Sequence, residues 1–235
     1  MSRHSFRPLL PAALGFVACA ALQTSSFADD AVSPAVAPAP AASDSGAPTI
    51  PADYTGKPET GSPQQIPGKI SAVDYDTAPN AAPDITFHYD GKATQSKIRK
   101  NADSLGLATF DKSHLTTKGD PEDVSQVYVG WTKPHEWLKY TVTVAEAGTY
   151  VIGAHVAAGS KGATLTFSFG DGLTTGEIEI PTTAGFIPNH EVYHVWETLD
   201  NLKEITLPAG TYVMKVEIGK VAGMNLESFT FTKKA

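Results

Sequence analysis

Residues 138–144 alternate without a break. Leu138, Tyr140, Val142 and Val144 point one way, and Lys139, Thr141 and Thr143 the other. That period of two belongs to a half-buried β-strand, whose apolar face needs a partner surface. The same pattern recurs along the chain. Tyr150, Ile152, Ala154 and Val156 form one such face. Leu165, Phe167 and Phe169 alternate with Thr164, Thr166 and Ser168 before Gly170. Ile178 and Ile180 alternate with Glu177 and Glu179, and Ile205 and Leu207 precede Pro208-Ala209-Gly210. Tyr212, Met214, Val216 and Ile218 follow, and Phe229 and Phe231 close the chain. No amphipathic helix stands out. Many short strands separated by Gly and Pro turns predict an all-β fold, a β-sandwich or a barrel. Residues 77–123 are less regular and read as long loops, with an outer strand over residues 98–107.

The first 65 residues read differently. Arg3, His4 and Arg7 precede a short apolar run, residues 9–22, and Ser26-Phe27-Ala28 offers small residues for cleavage. Residues 1–28 are therefore expected to be a signal peptide. Residues 29–65, rich in Ala and Pro, read as a disordered linker, and residues 66–235 as the ordered module. The mature chain contains no further apolar run long enough to span a membrane. The expected location is secreted or periplasmic. Cys19, the single cysteine, lies inside the leader. An alternative makes it the acylated residue of a lipoprotein box formed by residues 16–19, giving a lipid anchor. Hydrophobic residues are 41% of the chain and charged residues 18%, with a net charge of −7. That balance argues against a nucleic-acid binder or a polybasic membrane binder. The basic run at residues 97–100 reads as a solvated loop.

A loop over residues 129–137 runs into the first strand and carries Trp131 and Trp137 with Pro134 between them. Loops on a rigid strand often carry function. A pyranose ring has an apolar C–H face and a rim of hydroxyls, so binding one takes a flat aromatic and a fixed amide or carboxylate. Trp131 has no strand parity that would bury it. Tyr193 and Trp196 form an aromatic pair, and Asn225 sits in the last loop. Each also has an ordinary reading as a core or loop residue. His135-Glu136, His190-Glu191 and Asp171 make no natural acid/base dyad, because neighbours on a strand face opposite ways. HExxH and G-x-S-x-G motifs and a nucleophilic cysteine are lacking, so an enzyme is not expected.

Gly130-Trp131, then residues 136–142 (Glu-Trp-Leu-Lys-Tyr-Thr-Val), then Ala147-Gly148-Thr149-Tyr150 resemble the core of the family 6 carbohydrate-binding modules. Residues 69–76, 99–107, 181–185, 193–196, 207–212 and 225–227 resemble further pieces of that family, in its order. The resemblance implies a jelly-roll β-sandwich of the galactose-binding-like type, non-catalytic, that binds a polysaccharide or oligosaccharide. It implies a sugar clamped between Trp131 and Tyr193, with Asn225 on its hydroxyls and Trp196 as the more buried aromatic. Residues 186–190, with Pro188, look like an insertion before Tyr193. Trp137 has the parity of Lys139 and reads either as a second sugar site on a sheet face or as a cover over the core. The family also implies a structural calcium. Here the opening strand offers Ser71 and Val73, and Val73 cannot ligate. Glu227 holds the C-terminal acidic position, and its parity with Phe229 and Phe231 predicts an inward carboxylate. Such a group needs a metal, a hydrogen bond or a salt bridge. Association with a cell wall or a glycoside hydrolase is the expected setting. The alternative is a structural or envelope sandwich that has lost sugar binding, for which a packed-in Trp131 would speak.

Overall fold

The computed structural model describes residues 50–82, 84–90, 107–109, 127–170, 172–183 and 193–235. The expected signal peptide, Cys19, the basic run at 97–100, Asp171, the His190-Glu191 pair and the insertion at 186–190 lie outside the described residues. The first short strands are β1 (Gln64–Ile66), β2 (Gly68–Ser71), β3 (Phe87–His88), β4 (Leu107–Thr109) and β5 (Val127–Val129). The long ones follow: β6 (Trp137–Val144), β7 (Gly148–Ala158) and β8 (Thr164–Phe169). The last are β9 (Ile178–Glu179), β10 (Glu197–Leu207), β11 (Gly210–Ile218) and β12 (Met224–Lys233).

They form two six-stranded sheets. One runs β1-β6-β11-β8-β9 with β3 also on β6, and the other β10-β7-β12-β5-β4 with β2 also on β12. The sandwich read from the sequence is therefore present. The alternating apolar residues meet between the sheets, where Tyr140, Tyr150, Phe167 and Phe229 are fully buried. Their rings pack edge to face, with Phe167 at 5.2 Å from Phe229 and Phe169 at 5.9 Å from Phe231. Such pairs add about 1 kcal/mol beyond area burial.

The chain crosses between the sheets at two Ala-Gly-Thr-Tyr segments, from β6 to β7 and from β10 to β11. Each tyrosine is buried, and its hydroxyl donates back to a carbonyl four residues earlier, Tyr150 to Glu146 and Tyr212 to Pro208. The repeated tetrapeptide is thus a corner device, in which a buried ring carries a polar tip that ties off the turn.

Order begins earlier than the composition predicts. A linker reaching residue 65 is the expectation, yet residues 51–65 have defined places. Tyr54 donates its hydroxyl to Asp76 Oδ2 at 2.7 Å, and Asp76 also accepts from the Thr141 backbone N–H and hydroxyl of β6. Lys57 pairs with Thr77, and β1 runs parallel to β6 with Ile66 fully buried. The segment has few large apolar residues, which hides it, because one tyrosine and backbone pairing hold it rather than an apolar face. Among the described residues no helix is long and apolar enough to cross a membrane, which says nothing of strands.

Candidate functional site

Residues 130–136 carry the chain from β5 of one sheet to β6 of the other across one end of the sandwich. A Cβ at Gly130 would stand 2.9 Å from the Tyr128 ring and 3.1 Å from Asn225 Oδ1. Only glycine lets the backbone pass there. Trp131 follows in the left-handed region, with φ +52°, and is 57% exposed. The backbone around it is held. Thr132 is buried and its hydroxyl donates to the Met224 carbonyl at 2.7 Å. The His135 N–H donates to the Ile218 carbonyl at 3.1 Å, and Glu136 Oε2 accepts the Lys133 N–H at 2.9 Å. The loop is pinned at both ends while one large ring stands in solvent, which is the form of a preorganised contact.

Glu136 is the hidden charge of this loop. It is fully buried, and its Oε1 has no hydrogen-bond partner among the described residues. Burial pushes its carboxyl from an ordinary 4.5 up to about 7, opposed by the Lys133 N–H and by the charges of Lys133 and His88.

Trp131 shares a cleft of about 320 Å³ with Tyr193 and Asn225. Tyr193 is half-buried. Asn225 is the second residue of β12, is buried, and donates through Nδ2 to the Tyr193 carbonyl at 2.6 Å. One amide hydrogen therefore positions the opposite wall. The carbonyl oxygen of the same amide lies beside Gly130 at the cleft, where it is an acceptor. Tyr128, Thr132, Lys133 and His194 complete the walls with Gly223 and Met224. These are rings, an amide and a cation, suited to stacking on a flat apolar face and bonding to its hydroxyl rim. The described lining contains no carboxylate.

The structure brings together Trp131, Tyr193 and Asn225, the three residues that the sequence places in one clamp. It does not bring the others there. Trp196 is fully buried, stacked on His155 at 5.5 Å and edge-on to Tyr128 at 5.1 Å, so it supports the wall from inside. Trp137 lies on the outward face of β6, under the His88 ring at 6.0 Å and with Lys139 Nζ 4.8 Å from its ring. It belongs to the sheet face and not to the cleft lining. Lys133, Thr132, Tyr128 and His194 line the cleft without having been singled out by the sequence. Lys133 sits inside the noted loop, and only the turn that buries Thr132 aims its neighbours at the cleft.

Glu227 is placed otherwise than its parity predicts. The pairing of β12 with β7 slips between Leu226 and Ser228, so Leu226 and Phe229 both reach the core. Glu227 is the extra residue of that bulge, and its side chain leaves the core. Its Oε1 meets Lys69 Nζ at 3.1 Å, and the Ser228 hydroxyl donates to its Oε2. Gln64, Ser71, Val73 and Asp74 stand beside it. A hard divalent cation needs six or more oxygens including carboxylates. Two carboxylates, an amide and a hydroxyl stand here together with the Lys69 ammonium, and the described residues contain no cluster of three His, Cys, Asp or Glu side chains. In this structure the partners of Glu227 are the Lys69 ammonium and the Ser228 hydroxyl.

Several solved structures are similar to this chain. A 1,3-β-glucan-binding module from Bacillus halodurans is 19% identical, covering 72% of this chain and 98% of its own, with a TM-score of 0.45. A module of Cellvibrio mixtus lichenase 5A, solved with cellotriose, is 23% identical over 56% of this chain and 98% of its own, with a TM-score of 0.41. A Clostridium stercorarium module solved with cellobiose is 17% identical over 74% and 99%, with a TM-score of 0.45. A search of curated proteins gives no significant match. The sequence profile described as "Carbohydrate binding module (family 6)" matches residues 108–233, more than half of the 235 residues. The chain belongs to the family 6 carbohydrate-binding modules.

Proposed function

We propose that this chain binds polysaccharide without cleaving it, at the cleft between Trp131 and Tyr193. The observation that carries this is the exposed Trp131 ring on a pinned backbone, facing a cleft whose other wall is set by Asn225. A purely structural sandwich would pack that ring inside, where about 2–3 kcal/mol of burial would be gained. Instead the ring is left out for a ligand. The sugar's C–H face stacks on Trp131, Tyr193 closes the other side, and the Asn225 carbonyl accepts a hydroxyl. An open cleft of this size gives weak binding per site. Cleavage would require two carboxylates about 5–10 Å apart across the sugar, and the described lining supplies rings, an amide and a cation. Export through the N-terminal leader and a Pro/Ala-rich tether would hold the module near a cell wall or beside a glycoside hydrolase. β-Glucans and cello-oligosaccharides, the ligands of the related modules, are the first to test.

Trp131→Ala tests the site. Binding to the preferred glycan is expected to fall at least ten-fold, about 1.4 kcal/mol. Stability should move by less than about 0.5 kcal/mol, because the ring is exposed. Isothermal titration paired with thermal unfolding reads both. Undiminished binding by the folded variant would remove the cleft from consideration.

A further inference from the structure

The cleft's charge departs from that of the chain. The chain carries a net charge of −7, yet the described lining holds Lys133 and His194 and no Asp or Glu. Lys133 is exposed, two residues beyond the Trp131 ring. Four other lysines, Lys69, Lys215, Lys233 and Lys234, are paired with glutamates. Among the described residues Lys133 makes no such ion pair. The acid nearest in sequence, Glu136, is turned inside to cap the backbone N–H of Lys133 and offers nothing to the cleft.

Two more exposed lysines, likewise without an ion pair among the described residues, adjoin this end. Lys161 follows Ser160, whose hydroxyl abuts Gly223 at the cleft edge, and the Gly159 N–H donates to the Gly223 carbonyl at 3.0 Å. Lys220 lies three residues before Gly223 on the same turn. Glu177 lies beside Gly219, next to Lys220, so the positive excess at this end rests on Lys133 and Lys161, and a local positive field on an acidic protein favours anions there.

We infer that the cleft selects an acidic glycan, in which Trp131 stacks on the pyranose and the Lys133 ammonium pairs with an anionic substituent of the sugar. The substituent is a uronate carboxylate or a sulfate ester, both of which suit a flexible point charge such as lysine. This rests on the sugar-binding reading above and adds the class of sugar. An exposed ion pair supplies selectivity of about five-fold and weakens with salt.

The test uses the full-length protein and matched polymers: a glucuronoxylan and its carboxyl-reduced form, and a sulfated galactan and its desulfated form. Affinity electrophoresis at low salt is expected to show about five-fold tighter binding of one acidic member over its neutral counterpart. Which pair shows it names the anion. Lys133→Met should abolish the difference between acidic and neutral members, whereas Lys203→Met, on the edge strand β10, should leave both affinities unchanged. Equal binding of acidic and neutral members overturns the inference and leaves the sugar-binding reading standing. Acidic binding that survives Trp131→Ala, or that falls equally with Lys203→Met, is general charge attraction and also overturns it. Failure of the folded protein to bind either member of either pair, or any β-glucan, overturns both.

Discussion

Glu136 shows how one residue sets a pH dependence for the binding loop. Its carboxyl is buried and faces Lys133 and His88. It also lies near Tyr89, whose hydroxyl is pushed up first by burial and then by this charge. The folded-state value of about 7 lies above the ordinary 4.5. Stability from this group is therefore complete below about pH 4.5 and is lost as pH rises to about 7, with a span of about 3 kcal/mol. Glu136→Gln keeps the acceptor for the Lys133 N–H and removes the titration. Its unfolding free energy should exceed that of the wild type at pH 8 and match it near pH 4. A parallel pH profile for the two proteins would refute the assignment. Glu227 is a carboxylate paired by a cation of the chain itself. Lys69→Met strands it, at a loss of about 1–2 kcal/mol, less than for a fully buried pair because Lys69 is half exposed. EDTA should leave the melting temperature where it is. A fall on chelation that calcium restores would show that a metal holds Glu227 instead.

At the scale of elements, the strands most legible in the sequence are those with one face in the core. β6, β8 and β11 alternate regularly, and their bounds follow from the pattern within a residue or two. β10 shows a pattern only from residue 205, although it starts at Glu197. It is an edge strand with a register slip between Leu199 and Lys203, so the alternation is interrupted, and before residue 205 only the partly buried Leu199 and Leu202 mark its inner face. β3 and β1 are too short to show a period, and of the outer strand expected over residues 98–107 only Leu107, which opens β4, lies among the described residues. The segment before β1 is held by specific bonds, which composition does not reveal. A protein starting at residue 66 should thus be less stable than one starting at residue 50. It loses β1 pairing and the Tyr54 bond to a buried Asp76, about 2 kcal/mol or more. Tyr54→Phe isolates the hydroxyl and should lose about 1.5 kcal/mol. Urea midpoints compare all three, and equal midpoints would return the segment to the status of a tether.

For the whole molecule, the sequence by itself determined the sandwich, its apolar faces and the residue types of the candidate clamp. Period-two alternation forces each strand's facing, and a tryptophan in a glycine-bearing loop, an aromatic pair and a late asparagine are visible as residue types. The tertiary structure alone decided which of those aromatics meet solvent. Trp131 and Trp196 are the same side chain in the sequence, but one stands on a pinned crossing loop and the other lies under His155 and Tyr128. Only the fold decided that Glu227 meets Lys69, because a one-residue bulge reverses the facing that parity predicts. The same holds for the charge of the cleft. Lys133 and Glu136 are three residues apart in a chain of negative net charge, and only the turn between them buries the acid and leaves the ammonium at the cleft.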